Sequence, residues 1–176
     1  IMGHSRHGKA ALLATIWDPR IEAVIAHQTG FAGASLSRSG TGERLDRMVK
    51  SYPHWLAPTA AAYARNPSTL PFDQHLVLAL VAPRRLFLGN ARRDVWSDPN
   101  SSFRAAQAAS AVWSAYGVPG ISGDDMRTFD PADGIVWWMR SGGHSIVDDD
   151  VLAFIEFLRA RPVPGAAVLP SAQAPR

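Results

Sequence analysis

Three side chains far apart along the chain, Ser5, Asp94 and His144, are of the types that together carry out acyl transfer. A serine hydroxyl is a weak nucleophile at neutral pH. It needs an imidazole to take its proton, and a carboxylate to hold that imidazole in the right tautomer and stabilise the imidazolium. Ser5 lies in Gly3-His4-Ser5-Arg6-His7-Gly8-Lys9, a glycine-flanked turn leading into a helical pattern. The positive end of that helix would lie near a developing oxyanion. The second glycine falls one place later than in a G-x-S-x-G elbow, and Gly-x-Ser taken alone more often marks an ordinary turn.

The elements that must position these groups can be read from periodicity. Ile1-Met2 reads as the end of a strand, and Arg6 to Trp17 has helical spacing up to the stop at Asp18-Pro19. Ala23 to Ala26 is a short buried strand, followed by a Gly/Ser/Thr-rich loop over 29–42. Glu43 to Val49 reads as a short helix, and 55–71 stays ambiguous because Pro58 and Pro67 bracket it. A helix is predicted over Phe72 to Ala82 with Asp73 as cap, then a strand over Arg85 to Gly89. Asp98-Pro99 opens a long helix that Gly117 ends. After an irregular loop come a strand at Ile135 to Met139, a turn at Gly142-Gly143 and a final helix from Val151 to Leu158.

Strands alternating with helices predict a parallel sheet with helices on its faces. In such a sheet reactive groups gather beyond the carboxyl ends of the strands, where Ser5, Asp94 and His144 all fall. The order Ser, Asp, His is that of the α/β-hydrolases. The abrupt start on an apolar pair suggests a partial α/β-hydrolase fold whose amino-terminal half is missing. On this reading residues 1–160 are the carboxyl-terminal part of the catalytic domain and 161–176, rich in proline and small residues, are a disordered tail.

Composition removes other classes. The chain has 176 residues, 47% of them hydrophobic, enough for a packed core. There is no cysteine, which excludes a disulfide scaffold, a thiolate metal site and a cysteine nucleophile. Net charge is +3, and of 18 basic residues only Lys9 and Lys50 are lysines. The arginines are dispersed, so neither nucleic-acid nor membrane partners are expected.

Beyond these patterns, the segment Gly3-His4-Ser5-Arg6-His7-Gly8-Lys9 resembles the G-C-S-R-x-G-K elbow of the glucuronoyl esterases, carbohydrate esterase family 15. Further segments are similar in the same order: Gln28-Thr29-Gly30-Phe31-Ala32-Gly33 with Arg38, Tyr52-Pro53-His54-Trp55, Pro71-Phe72-Asp73-Gln74-His75 and Ala82-Pro83-Arg84. Asp94-Val95-Trp96-Ser97-Asp98-Pro99 and Gly142-Gly143-His144 complete the set, which covers most of the chain before the tail.

The resemblance implies a serine esterase without metal or cofactor. Its substrate would be an ester between the uronic acid of glucuronoxylan and a lignin alcohol. It implies Ser5 as nucleophile, His144 as general base and Arg6 as oxyanion partner. Some members place the acid just after the strand that follows the elbow, where this chain has Gln28-Thr29. Others place it where Asp94 stands, so Asp94 is expected as the acid and Asp98 as a helix cap. Lys9 and Glu43 fall on positions that hold sugar hydroxyls, and Trp96 on a ring lying against the sugar. Their bland alternatives are a solvated lysine, an exposed helix start and a core tryptophan.

His4 departs from the family's cysteine and would need a partner if buried. His7 is expected in solvent. His54, Trp55 and His75 are read as structural, and His27 as a core or strand-end residue. The polymer substrate implies a secreted or periplasmic protein, expected to be a monomer at full length. Competing readings are an esterase for acetylated sugars, a non-catalytic carbohydrate-binding module, and a chain inactive on its own.

Overall fold

The computed structural model describes residues 1–160; the tail expected at 161–176 lies outside the described residues. Four strands, β1 (Met2–His4), β2 (Ala23–His27), β3 (Arg85–Ala91) and β4 (Ile135–Arg140), form one sheet in the order β1-β2-β3-β4. All three pairings are parallel. Around them run helices α1 (Arg6–Trp17), α2 (Leu45–Ser51), α3 (Gln74–Ala79), α4 (Pro99–Ala115) and α5 (Asp148–Arg159).

The strands β2, β3 and β4 are apolar over most of their length because both faces of the sheet are covered. Val24 and Ala26, Leu86 and Leu88, and Ile135 and Trp137 share one core cluster with Leu12 of α1, Leu78 of α3, and Phe103 and Trp113 of α4. The alternate residues Ile25, Phe87 and Val136 pack with Ala153, Phe154 and Phe157 of α5. The two-residue side-chain period of a strand thus divides each run between two cores. A third cluster, Phe31 with Leu45 and Met48, anchors the long excursion between β2 and α3.

Several boundaries differ from the sequence reading. The helix expected from Glu43 starts at Leu45, because the Glu43 N–H donates to Trp96 O (2.9 Å) and ties that residue to another loop. The helix expected over 72–82 covers Gln74–Ala79, capped at Asp73 as anticipated. The ambiguous 55–71 stretch holds two 3₁₀ segments, Pro58–Tyr63 and Pro67–Thr69, and the end of a third, Pro53–Trp55. Proline suits a first helical position, where no N–H is needed. The final helix starts three residues early, at Asp148. Asp148, Asp149 and Asp150 occupy its first turn, where negative charge suits the helix dipole. Arg84 closes the other end of α1: its Nη1 donates to the carbonyls of Thr15, Asp18 and Ile21 at 2.5, 3.0 and 3.2 Å.

Candidate active site

Ser5 sits between β1 and α1 in a conformation that non-glycine residues rarely adopt, with φ 57° and ψ −127°. Such strain costs of order 1–3 kcal/mol and persists only where the surroundings enforce it. Two observations identify the enforcement. The Ser5 N–H donates to His27 O (2.8 Å), so the turn is bonded to the neighbouring strand. The helix also folds back onto the strand so closely that a Cβ on Gly3 would lie 2.2 Å from His7 O. A Cβ on Gly8 would lie 2.8 Å from Gly3 O and 2.6 Å from the Thr29 side chain. The late second glycine is therefore required by the contact of α1 with β1 and with the loop after β2.

Asp94 follows β3 by three residues and is buried, at 4% exposure. Its Oδ2 is 2.7 Å from His144 Nδ1, and its Oδ1 accepts from the Ser97 N–H at 3.3 Å. Hydrogen bonding through Nδ1 to a carboxylate leaves His144 Nε2 as the bare nitrogen of the neutral ring. Ser5 and His144 line one cavity of about 490 Å³. Among the described residues Ser5 Oγ has no hydrogen bond to His144. Such contacts are commonly loose without substrate and tighten in the Michaelis complex.

The loop bearing His144 is clamped from two sides. The Gln28 amide donates to Gly143 O (3.0 Å) and accepts from the Ser145 N–H (3.0 Å), so one buried side chain brackets His144. The Arg140 guanidinium donates to Ser141 O (2.6 Å), Gly143 O (3.3 Å) and Ser145 O. Asp150 holds Arg140 in turn through Nε at 2.7 Å. Burial would raise the Asp150 pKa, but the His27 contact and the bonds from Arg140 and the Val147 N–H hold it well below the usual carboxylate range. Neither clamp is legible in the sequence, because no local spacing links Gln28 to the His144 loop.

The remaining candidates line the same cavity or flank it. Arg6 and His7 are exposed at its mouth. Lys9 and Glu43 are paired with each other at 2.9 Å, with side chains only 11% and 12% exposed. Trp96 is 49% exposed, which removes the core reading, and the Arg47 guanidinium lies 5.5 Å from its ring centre. Trp55 does more than the structural role expected of it. It lines the cavity, stacks on Tyr52 at 4.3 Å and has the Lys9 ammonium 5.7 Å from its ring.

Asp98 is a cap, as expected: it accepts from the Ser101 N–H (3.1 Å) and the Thr41 hydroxyl (2.7 Å), away from His144. Burial pushes its pKa up, but bonds from Ser39, Thr41 and Ser101 outweigh that and lower it.

The sequence model described as glucuronyl esterase of fungi matches residues 1–117. A carbohydrate esterase from an unknown prokaryotic organism is 36% identical over 162 residues, 89% of this chain and 37% of that protein. The 4-O-methyl-glucuronoyl methylesterase of Schizophyllum commune is 36% identical over 127 residues, 68% of this chain and 32% of that protein. The chain thus spans about a third of the length of these curated relatives.

Among solved structures, a promiscuous esterase of carbohydrate esterase family 15 from a marine bacterial metagenome superposes with a TM-score of 0.84 at 36% identity, covering 89% of this chain and 40% of that one. The glucuronoyl esterase from Solibacter usitatus gives 0.81 at 35% identity, with the same coverage of 89% and 40%. With its parallel sheet and flanking helices the chain has a partial α/β-hydrolase fold, and it belongs to the glucuronoyl esterases, carbohydrate esterase family 15.

Proposed function

We propose that the protein is a serine esterase that hydrolyses glucuronoyl esters, with Ser5 as nucleophile, His144 as general base and Asp94 as the acid. The 2.7 Å contact between Asp94 and His144, on a cavity shared with Ser5, is the observation that carries this reading. Family membership supports it, as does the name 4-O-methyl-glucuronoyl methylesterase borne by relatives.

The reaction is a two-step acyl transfer. His144 Nε2 takes the Ser5 proton as Oγ attacks the ester carbonyl. Asp94 holds the imidazole and balances the imidazolium charge. The oxyanion is met by the Arg6 N–H, which as a first-turn donor has no intrahelical acceptor. The Arg6 guanidinium adds a charge-assisted bond. The carbon–oxygen bond to the alcohol breaks as His144 returns its proton to the departing oxygen. Water, deprotonated by the same imidazole, then attacks the glucuronoyl-serine and frees the uronic acid and Ser5.

The acyl side of the substrate suits the cavity. The Lys9–Glu43 pair can hydrogen-bond sugar hydroxyls in both senses, and the exposed Trp96 ring offers a face for the apolar side of the sugar. The ester linking glucuronoxylan to lignin is the proposed natural substrate. Such a polymer cannot enter a cell, so we assign the protein to the secreted or periplasmic space.

The test compares hydrolysis of methyl glucuronate with that of an acetylated sugar, using the full protein and its Ser5→Ala variant. Preference for the glucuronate ester, lost in Ser5→Ala, is expected. Preference for the acetyl ester would overturn the substrate assignment, and full activity in Ser5→Ala the mechanism.

A further inference from the structure

Behind the Asp94–His144 pair lies a second set of imidazoles that the proposed mechanism does not use. His4 is the last residue of β1, directly before Ser5. Its ring centre lies 4.6 Å from that of His144, at 42° between planes. It also lies 5.1 Å from the His27 ring, with 2.9 Å between the two Nδ1 atoms. One proton serves that contact, so one ring must accept there with an uncharged nitrogen.

His27 is fully buried, and its Nε2 lies 3.2 Å from Asp150 Oδ1, bent away from full hydrogen-bond geometry. Asp150 is also fully buried and accepts from Arg140 Nε (2.7 Å), Trp138 Nε1 (3.0 Å) and the Val147 N–H (3.0 Å). The sheet makes room for this chain of groups. Gly89 stands opposite His27 on β3, and a Cβ there would lie 2.3 Å from the His27 ring.

We propose that His4 is a positioning residue for His144: its ring, fixed through His27 to the Asp150–Arg140 pair, is the wall that holds the His144 imidazole in the plane from which it serves Ser5. The inference rests on the reading of Ser5 and His144 as nucleophile and base. Its physical sense lies in the charge that the reaction creates. When His144 takes the serine proton, an imidazolium forms beside His4. A neutral ring tolerates that neighbour, whereas a protonated one repels it.

Four titratable groups face His4, and their balance with burial keeps it neutral near pH 7. They are His27 on β2, Asp94 in the turn after β3, His144 in the loop after β4 and Asp150 on α5. Burial acts first, followed by the like charges of His27 and His144, and together they lower the His4 pKa to about 4. The two carboxylates pull the other way but less strongly, each already bound to another partner.

The experiment measures kcat and KM for methyl glucuronate across pH in wild type, His4→Ala, His4→Phe and Ser5→Ala of the full protein. For wild type and the two His4 variants, rates are normalised to the enzyme that a fluorophosphonate titrates at Ser5, so unfolded protein is not counted; Ser5→Ala is normalised to soluble folded protein. Removing the wall in His4→Ala is expected to lower kcat by about tenfold with KM within about twofold. His4→Phe restores a ring without the contact to His27 and should recover part of that loss. It should also remove the His4 ionisation from the acid limb of log kcat, leaving that limb shallower than in wild type.

Wild-type kcat in His4→Ala, equal losses in Ala and Phe, or an acid limb unchanged in Phe would each overturn the proposal. If His4→Ala yields no titratable enzyme, the His4→Phe limb decides alone. Activity surviving in Ser5→Ala would instead refute the underlying reading of the site.

Discussion

Asp94→Asn should lower kcat/KM for a glucuronate ester by about 10²–10⁴-fold while leaving the fold intact. The substitution keeps the size of the side chain but removes the negative charge that balances the imidazolium. It also replaces one carboxylate oxygen with an N–H₂ group, which favours the wrong tautomer of His144 across the 2.7 Å contact. Asp98→Asn is the control, four residues on. Asp98 meets helix α4 and the Ser39 and Thr41 hydroxyls, so its replacement should cost about 1 kcal/mol of stability and little turnover. Steady-state kinetics on methyl glucuronate with both variants checks this. Near-normal activity in Asp94→Asn would mean that another group orients His144. Gln28, at the alternative acid position, is no substitute, since its amide is occupied by Gly143 and Ser145.

Asp150→Ala should be the most damaging single change to stability, at about 3–5 kcal/mol. That compares with about 5–15 kcal/mol for a whole domain. The loss leaves the Arg140 guanidinium, whose side chain is 5% exposed, without its carboxylate, and leaves Trp138 Nε1 and the Val147 N–H without acceptors. Urea unfolding measures the effect. The double variant Arg140→Met/Asp150→Leu separates charge from architecture. Replacing a buried ion pair by apolar side chains is often close to neutral, so much of the stability should return. Turnover should not, because Arg140 also holds the carbonyls of Ser141, Gly143 and Ser145 around His144. Full activity in the double variant would show that the clamp on this loop is dispensable.

What was legible in the sequence was local. Asp73 and Asp98 cap α3 and α4 because the cap signal consists of a few adjacent residues. The strands were found as short apolar runs, although β3 and β4 extend past the last obvious apolar residue into Asn90 and Arg140, whose side chains are buried. The 55–71 region was not legible, because short 3₁₀ turns hold no 3.6-residue period to detect. The order of Ser5, Asp94 and His144 suggested a shared rim. The supports of that rim were hidden, since Gln28 reaches Gly143 and Ser145 across 115 and 117 residues. The His27–Asp150 contact is equally non-local, and no spacing rule encodes it. In the sequence His4 is only an imidazole in need of a partner, which His27 supplies at 2.9 Å.

The most direct test of the account is covalent. A fluorophosphonate reacts with a serine that a neighbouring base activates, forming an oxygen–phosphorus bond and releasing fluoride. Peptide mapping by mass spectrometry of the treated full protein should find one adduct, on the peptide carrying Ser5. Labelling should be slowed by glucuronate and be nearly absent in His144→Ala. An unmodified Ser5 in a protein that still hydrolyses the ester, or an adduct on a different serine, would contradict it.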